Sequence, residues 1–158
     1  MSGESFRPRL NHVAISIDPA VLDARGRADL LAFYGAVFGW TEGDNTGEKG
    51  DPLILYTGSF AQFVYLLPAS PAMQAPPLDH FGLQVASVDE INEIVARAQQ
   101  FREHDERVRI IERTSRTTHG TTDDYVLTSA YIGFVLPLMI ELQHLKRIAH
   151  AADATTHA

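Results

Sequence analysis

Two histidines stand at equivalent places in two near-copies of one short segment. Asn11-His12-Val13-Ala14-Ile15-Ser16-Ile17 is matched, 68 residues later, by Asp79-His80-Phe81-Gly82-Leu83-Gln84-Val85. A side-chain period of two puts His12, Ala14 and Ser16 on one face and Val13, Ile15 and Ile17 on the other. The second copy divides in the same way, into His80, Gly82 and Gln84 against Phe81, Leu83 and Val85. Each copy therefore reads as a strand with one face on a core. A third strand, Met139-Ile140-Glu141-Leu142-Gln143, carries a carboxylate among apolar neighbours. A buried, unpaired carboxylate is costly, so Glu141 needs a partner. Two imidazoles and one carboxylate around a divalent cation would leave positions open for water or substrate. The rival reading is a histidine–carboxylate hydrogen bond or ion pair without metal.

Three further residues are candidates for chemistry. With the last hairpin turned around Leu136, Tyr131 and Glu141 are cross-strand neighbours on one face. There Tyr131 would act as an acid, orient substrate, or simply pack. His144 lies three residues from Glu141, faces the other way and is not counted as a ligand. Arg116 and His119 fall in a hydroxyl-rich stretch, Thr114 to Asp124, read as a loop from which either would reach an anionic substrate.

These residues need elements to hold them. A polar stretch, Asp18 to Arg27, follows the first strand. A helix is expected over Ala28 to Phe38, with Leu30, Leu31, Tyr34, Val37 and Phe38 on one stripe and Gly39 as its stop. A Gly/Asp-rich loop, Glu42 to Asp51, leads to a hairpin of Pro52 to Thr57 and Phe60 to Leu67. Pro68 to Pro77 holds four prolines in ten positions and reads as a linker. The order then repeats. Strand His80 to Ala86 leads to a helix opened by the capping box Ser87 and Glu90. Ile91, Ile94, Val95, Ala98 and Phe101 form its buried stripe. Arg107 to Glu112, Tyr125 to Val135 and Leu138 to Leu145 are strands, the last two turned near Pro137. The expected plan is one α+β module repeated: 9–67, a linker over 68–78, a second module over 79–146, and a flexible tail over 147–158. Internal duplication at this scale is a strong fold signal. Each copy would form a curved, mostly antiparallel sheet with a helix on its outer face, the pair enclosing a cleft.

Composition sets the outer bounds. The chain has 158 residues, 45% of them apolar, and a formal net charge of −7 with scattered Arg and Lys. No basic patch points to nucleic acid. No segment approaches the roughly 20 apolar residues of a membrane helix. Cysteine is absent, so any metal must be held by N and O donors. Met1 to Arg9 is polar and shows no apolar signal region, and the expected compartment is the cytoplasm.

The motifs Leu10-Asn11-His12-Val13-Ala14-Ile15, Phe33-Tyr34 with Phe38-Gly39-Trp40, Asp79-His80-Phe81-Gly82-Leu83 and Ile140-Glu141-Leu142 resemble the vicinal oxygen chelate superfamily. That superfamily contains glyoxalase I, extradiol dioxygenases, methylmalonyl-CoA epimerase, fosfomycin-resistance transferases and bleomycin-binding proteins. The resemblance covers roughly residues 9 to 146. It implies two βαβββ modules forming a curved mixed sheet around a metal-binding cleft. It also implies His12, His80 and Glu141 as ligands of a divalent metal (Fe, Mn, Zn, Ni or Co), with Gln62 as a fourth. Such a centre binds two neighbouring substrate oxygens and stabilises an enolate or oxyanion.

The resemblance thus implies a small-molecule enzyme of the isomerase, epimerase or lyase type, with Glu141 and Tyr131 catalytic; Arg116 and His119, from their place in the chain, are the expected substrate-binding residues. Alternatives are a metal-free binding protein of the bleomycin-resistance type and an extradiol-type dioxygenase. No histidine lies between His12 and His80, where the dioxygenases carry an acid–base histidine, which counts against ring cleavage. A further departure is the last turn, Val135-Leu136-Pro137-Leu138, in place of the usual solvated Asp-Pro-Asp-Gly. Four apolar residues at a hairpin tip predict cover by a second subunit, in a homodimer, or by the tail.

Overall fold

The structure, a computed structural model, describes residues 9–44, 51–121 and 123–148. Contacts divide the chain into two units, with the boundary between Met73 and Gln74 inside the proline-rich stretch.

The first unit runs β1 (His12–Ile17), a 3-10 turn (Pro19–Leu22), α1 (Ala24–Phe38), β2 (Thr41–Glu42), β3 (Leu53–Ser59) and β4 (Gln62–Pro68). Its sheet has the order β1-β4-β3-β2; β1 is parallel to β4 and the other pairs are antiparallel. The polar stretch after β1 is made of caps rather than loop. Asp18 accepts from the Ala20 amide at 2.9 Å, and Asp23 accepts from the Gly26 amide at 2.7 Å. Each satisfies a backbone donor that a helix start leaves orphaned. Hence α1 begins four residues earlier than the apolar stripe alone indicates. Arg27 donates to the carbonyls of Leu22, Pro52 and Asp51, tying the helix start to the entry of β3. Gly39, at φ 72, ends the helix in the left-handed conformation that glycine adopts without strain. Ile15, Ile17, Leu30, Phe33, Val37, Leu53, Leu55, Val64 and Leu66 form the core. Tyr34 and Trp40 stack within it, with ring centroids 5.0 Å apart.

The second unit repeats the order: β5 (His80–Gln84), α2 (Val88–Arg102), β6 (Val108–His119), β7 (Asp124–Phe134) and β8 (Met139–Ile148). Its sheet order, β5-β8-β7-β6 with β5 parallel to β8, is that of the first unit. The duplication seen in the sequence is thus a duplication of topology, apart from the 3-10 turn and the differing strand lengths. Ser87 caps α2 by accepting from the Glu90 amide at 3.1 Å, and Glu90 reaches back to the Ala86 amide at 2.8 Å. Ile91, Ile94, Val95 and Ala98 bury the inner stripe of α2 against the sheet residues Ala130, Ile132, Ile140 and Leu142.

Several expectations are corrected. The first hairpin turns at Phe60 and Ala61, two residues later than read, so β3 includes Gly58 and Ser59. Thr114 to His119 is not a loop but the outer half of β6, paired in register with Asp124 to Ser129. Its β-branched threonines suit extended backbone. It reads as loop because this half of the strand is exposed on every residue and shows no apolar alternation. The hairpin tip is largely covered within the chain itself. Leu136 is 2% exposed, Val135, Pro137 and Leu138 are half-buried, and Arg109 donates to the Leu136 carbonyl at 3.2 Å. Residues 147 and 148, assigned to the tail, close β8; the rest of that tail and positions 45–50 of the Gly/Asp-rich loop lie outside the described residues.

Candidate functional site

In the second unit, register assembles one polar sheet face. His80 pairs with Met139, Gly82 with Glu141, and Gln84 with Gln143. Glu141 pairs with Tyr131, and Gln143 with Ser129. Paired residues share a face, so His80, Gly82, Glu141, Gln143, Tyr131 and Ser129 point the same way, opposite the α2 side. His144 pairs with Thr128 and points the other way, as its spacing from Glu141 requires.

Glu141 is the centre of this face. It is 7% exposed. Its Oε1 accepts from the Tyr131 hydroxyl at 2.9 Å, and its Oε2 accepts from the Gln143 amide at 3.4 Å. His80 Nε2 lies 3.3 Å from Oε2. The His80 ring meets Tyr131 edge to face, with centroids 5.0 Å apart and planes at 82°. A side chain at position 82 would begin 3.8 Å from Oε2, so glycine there leaves the space beside the carboxylate open.

The imidazole is oriented from behind. His80 Nδ1 is 2.8 Å from the Leu78 carbonyl. A carbonyl only accepts, so Nδ1 carries a proton, and in the neutral ring the Nε2 lone pair faces the carboxylate. Two acceptors so close require a proton or a cation. Metal–N and metal–O bonds of about 2.0–2.2 Å at tetrahedral to right angles hold two ligand atoms about 3.0–3.4 Å apart. The 3.3 Å separation fits that bite. A ligand histidine ordinarily donates its other ring N–H to a carbonyl or carboxylate, as His80 does.

Tyr131 stays protonated. Burial raises its pKa, and the hydrogen bond to Glu141 and the charge of that carboxylate add to the rise. The Ser129 hydroxyl and the Arg116 charge oppose it more weakly. The phenol is therefore a standing donor to Glu141 rather than a ready acid at neutral pH.

In the first unit His12 is prepared in the same way. Its Nδ1 is 2.9 Å from Asn11 Oδ1, and it lies on the face opposite buried Ile15 and Ile17. Its register partner is Phe63, whose ring stacks on the imidazole with centroids 4.9 Å apart and planes at 5°. Gln62 precedes Phe63 and pairs with Ser59, so strict alternation sets it on the face of Val64 and Leu66, where it is the exposed end of the row, and not on the face of His12. In that register Phe63, not Gln62, is the cross-strand neighbour of His12. Among the described residues no three His, Asp or Glu side chains are grouped as a complete metal cage. The second unit supplies a pair of donors.

The two residues expected on a loop lie on β6 and face opposite ways. Between the pairs Ile111–Tyr131 and Thr114–Ser129 the strand β6 carries one extra residue, a β-bulge. The bulge turns Thr114, Arg116 and Thr118 onto the face of Tyr131 and Glu141. His119 points to the back of the sheet, where its Nδ1 is 3.1 Å from Asp124 Oδ2. That contact, and not the face of Tyr131 and Glu141, is where the structure puts its ring. Ser129 and Gln143 were not singled out from sequence. Their period-two spacing from Tyr131 and Glu141 is the signal that would have found them.

No protein-family model and no curated protein sequence matches the chain. Solved structures do. A fosfomycin resistance protein, FosX, from Listeria monocytogenes, complexed with Mn(II) and sulfate, is 15% identical, with 88% of this chain and 93% of that chain covered and a TM-score of 0.57. Lactoylglutathione lyase from Agrobacterium tumefaciens is 17% identical, with 87% and 94% covered and a TM-score of 0.54. A virulence protein from Salmonella typhimurium is 19% identical, with 89% and 98% covered and a TM-score of 0.51. With its sheet order, its duplicated modules and these likenesses, the chain shares the α+β fold of these proteins.

Proposed function

We propose that the chain is a divalent-metal-dependent enzyme acting on a small substrate with adjacent oxygens, of the isomerase, epimerase or lyase class. The observation that carries the reading is the His80–Glu141 pair. One imidazole nitrogen is fixed by a carbonyl, and the other faces a buried carboxylate at the spacing of two metal ligands. His80 and Glu141 are the proposed ligands. His12, whose ring Asn11 orients as Leu78 orients that of His80, is proposed as a further ligand. Gln62 is left out of the set. Fe, Mn, Zn, Ni and Co all accept such donors. When bound, the metal supplies Lewis acidity that stabilises an enolate or oxyanion. The protein's own part is to hold the Glu141 carboxylate, through Tyr131 and Gln143, where it takes or returns a proton next to a carbonyl. The Mn(II) complex of the fosfomycin resistance protein and the lyase activity named for the Agrobacterium protein support this reading. A homodimer is the proposed assembly, and sedimentation as a monomer at micromolar concentration contradicts it.

A thermal-shift scan with and without chelator tests the proposal, because a metal that binds only the native state stabilises it by mass action. Stabilisation by added Mn, Zn, Ni, Co or Fe should accompany turnover of 2-oxoaldehydes, acyl-CoA esters or catechols. A second reading, a metal-free small-molecule binder, is favoured by one observation: the flat stack of Phe63 on His12 occupies one side of that ring. Unchanged stability in every metal would favour the binder.

A further inference from the structure

We infer that Arg116 binds the anionic group of the substrate, a carboxylate or phosphate-type oxyanion, on the sheet face that carries His80, Tyr131 and Glu141. The inference deepens the enzyme reading by naming the substrate class. Register carries it. From the Glu141–Tyr131 pair the same face continues through Gln143, Ser129 and Thr114 to Arg116, which pairs with Leu127. Those cross-strand rows are about 7 Å apart along the strands. The path from the proposed ligands to Arg116 is lined by amide and hydroxyl groups, which suit a short polar ligand.

The bulge between Ile111 and Thr114 is what puts Arg116 there. Without the extra residue, period-two alternation would send Arg116 to the back of the sheet and Ser115 to the front. Bulges concentrate beside active sites because they re-aim side chains in this way. The guanidinium is also available. The other arginines on this face are committed: Arg109 donates to the Leu136 carbonyl, and Arg147 pairs with Asp123 at 3.2 Å over the Tyr125 ring. Among the described residues, no carboxylate is within ion-pair distance of Arg116. A planar fork of donors matches an oxyanion in two parallel hydrogen bonds.

The test is an NMR titration of the full chain at fixed ionic strength in chelator, with inorganic phosphate, acetate and neutral acetamide as probes. Saturable shifts at Thr114 and Ser129 are expected with phosphate, acetate or both, and none with acetamide. The anion that binds more tightly identifies the group. Arg116→Gln should weaken that binding about tenfold or more, and Arg116→Lys less. His80→Ala should leave anion binding intact while removing metal, so the two readings fail separately. Anion affinity unchanged in Arg116→Gln, or equal response to acetamide, overturns the inference.

Discussion

Replacing Tyr131 by Phe removes one hydroxyl from beside a carboxylate that is 7% exposed. The lost hydrogen bond is 2.9 Å long and made to a charged acceptor. Such bonds contribute about 1.5–3 kcal/mol net, because the acceptor left behind has been taken out of water. Gln143, at 3.4 Å on the other oxygen, offsets little of this. Tyr131→Phe should therefore cost about 2 kcal/mol. With a urea slope of about 2 kcal/mol/M, the unfolding midpoint falls by about 1 M. The measurement is made in chelator, so that metal does not mask the change. Glu141→Leu removes the acceptor, and in that background Tyr131→Phe should cost less than about 0.5 kcal/mol. Equal cost in both backgrounds, or a wild-type midpoint for Tyr131→Phe alone, would show that the hydroxyl does not hold the carboxylate.

Other outcomes follow from the same geometry. The raised Tyr131 pKa means its neutral form is favoured in the folded state. That stabilisation is fully present below about pH 10, the pKa of the unfolded chain, and is lost as pH rises through the higher folded value. Denaturant midpoints between pH 8 and 11, flatter for Tyr131→Phe than for wild type, check it. Gly26→Ala would set a Cβ 2.0 Å from the Val21 carbonyl oxygen, a backbone atom. It should destabilise the first module by about 3 kcal/mol or more, read as a fall in melting temperature. Ser87→Ala removes the α2 cap and should cost about 1 kcal/mol in a denaturant melt. Gln62→Ala should leave metal content at the wild-type level, in contrast to His80→Ala, and elemental analysis decides between them.

The face that carries the site was legible because its strands alternate cleanly. His12 and His80 open matched strands, and the cross-strand meeting of Tyr131 with Glu141 followed from counting back around the turn at Leu136. The outer half of β6 was not legible. Thr114 to His119 is polar on both faces, so periodicity carries no strand signal there. The bulge after Ile111 leaves no mark in composition, yet it decides that Arg116 faces the site and His119 does not. Gln62 was placed by resemblance to a ligand position, whereas one residue of register sets it beside Val64 and makes Phe63 the neighbour of His12. What covers the apolar tip was illegible for a different reason. Pattern alone cannot show that Leu136 folds back into the chain.

The proposed function rests on His80 and Glu141 as metal ligands. Elemental analysis of untagged protein, alongside His12→Ala, His80→Ala and Glu141→Ala, tests it most directly. About one transition metal per chain is expected in wild type, lost on substitution of His80 or Glu141 and weakened on substitution of His12. Metal-free wild type after reconstitution, or full occupancy in His80→Ala and Glu141→Ala, would contradict it.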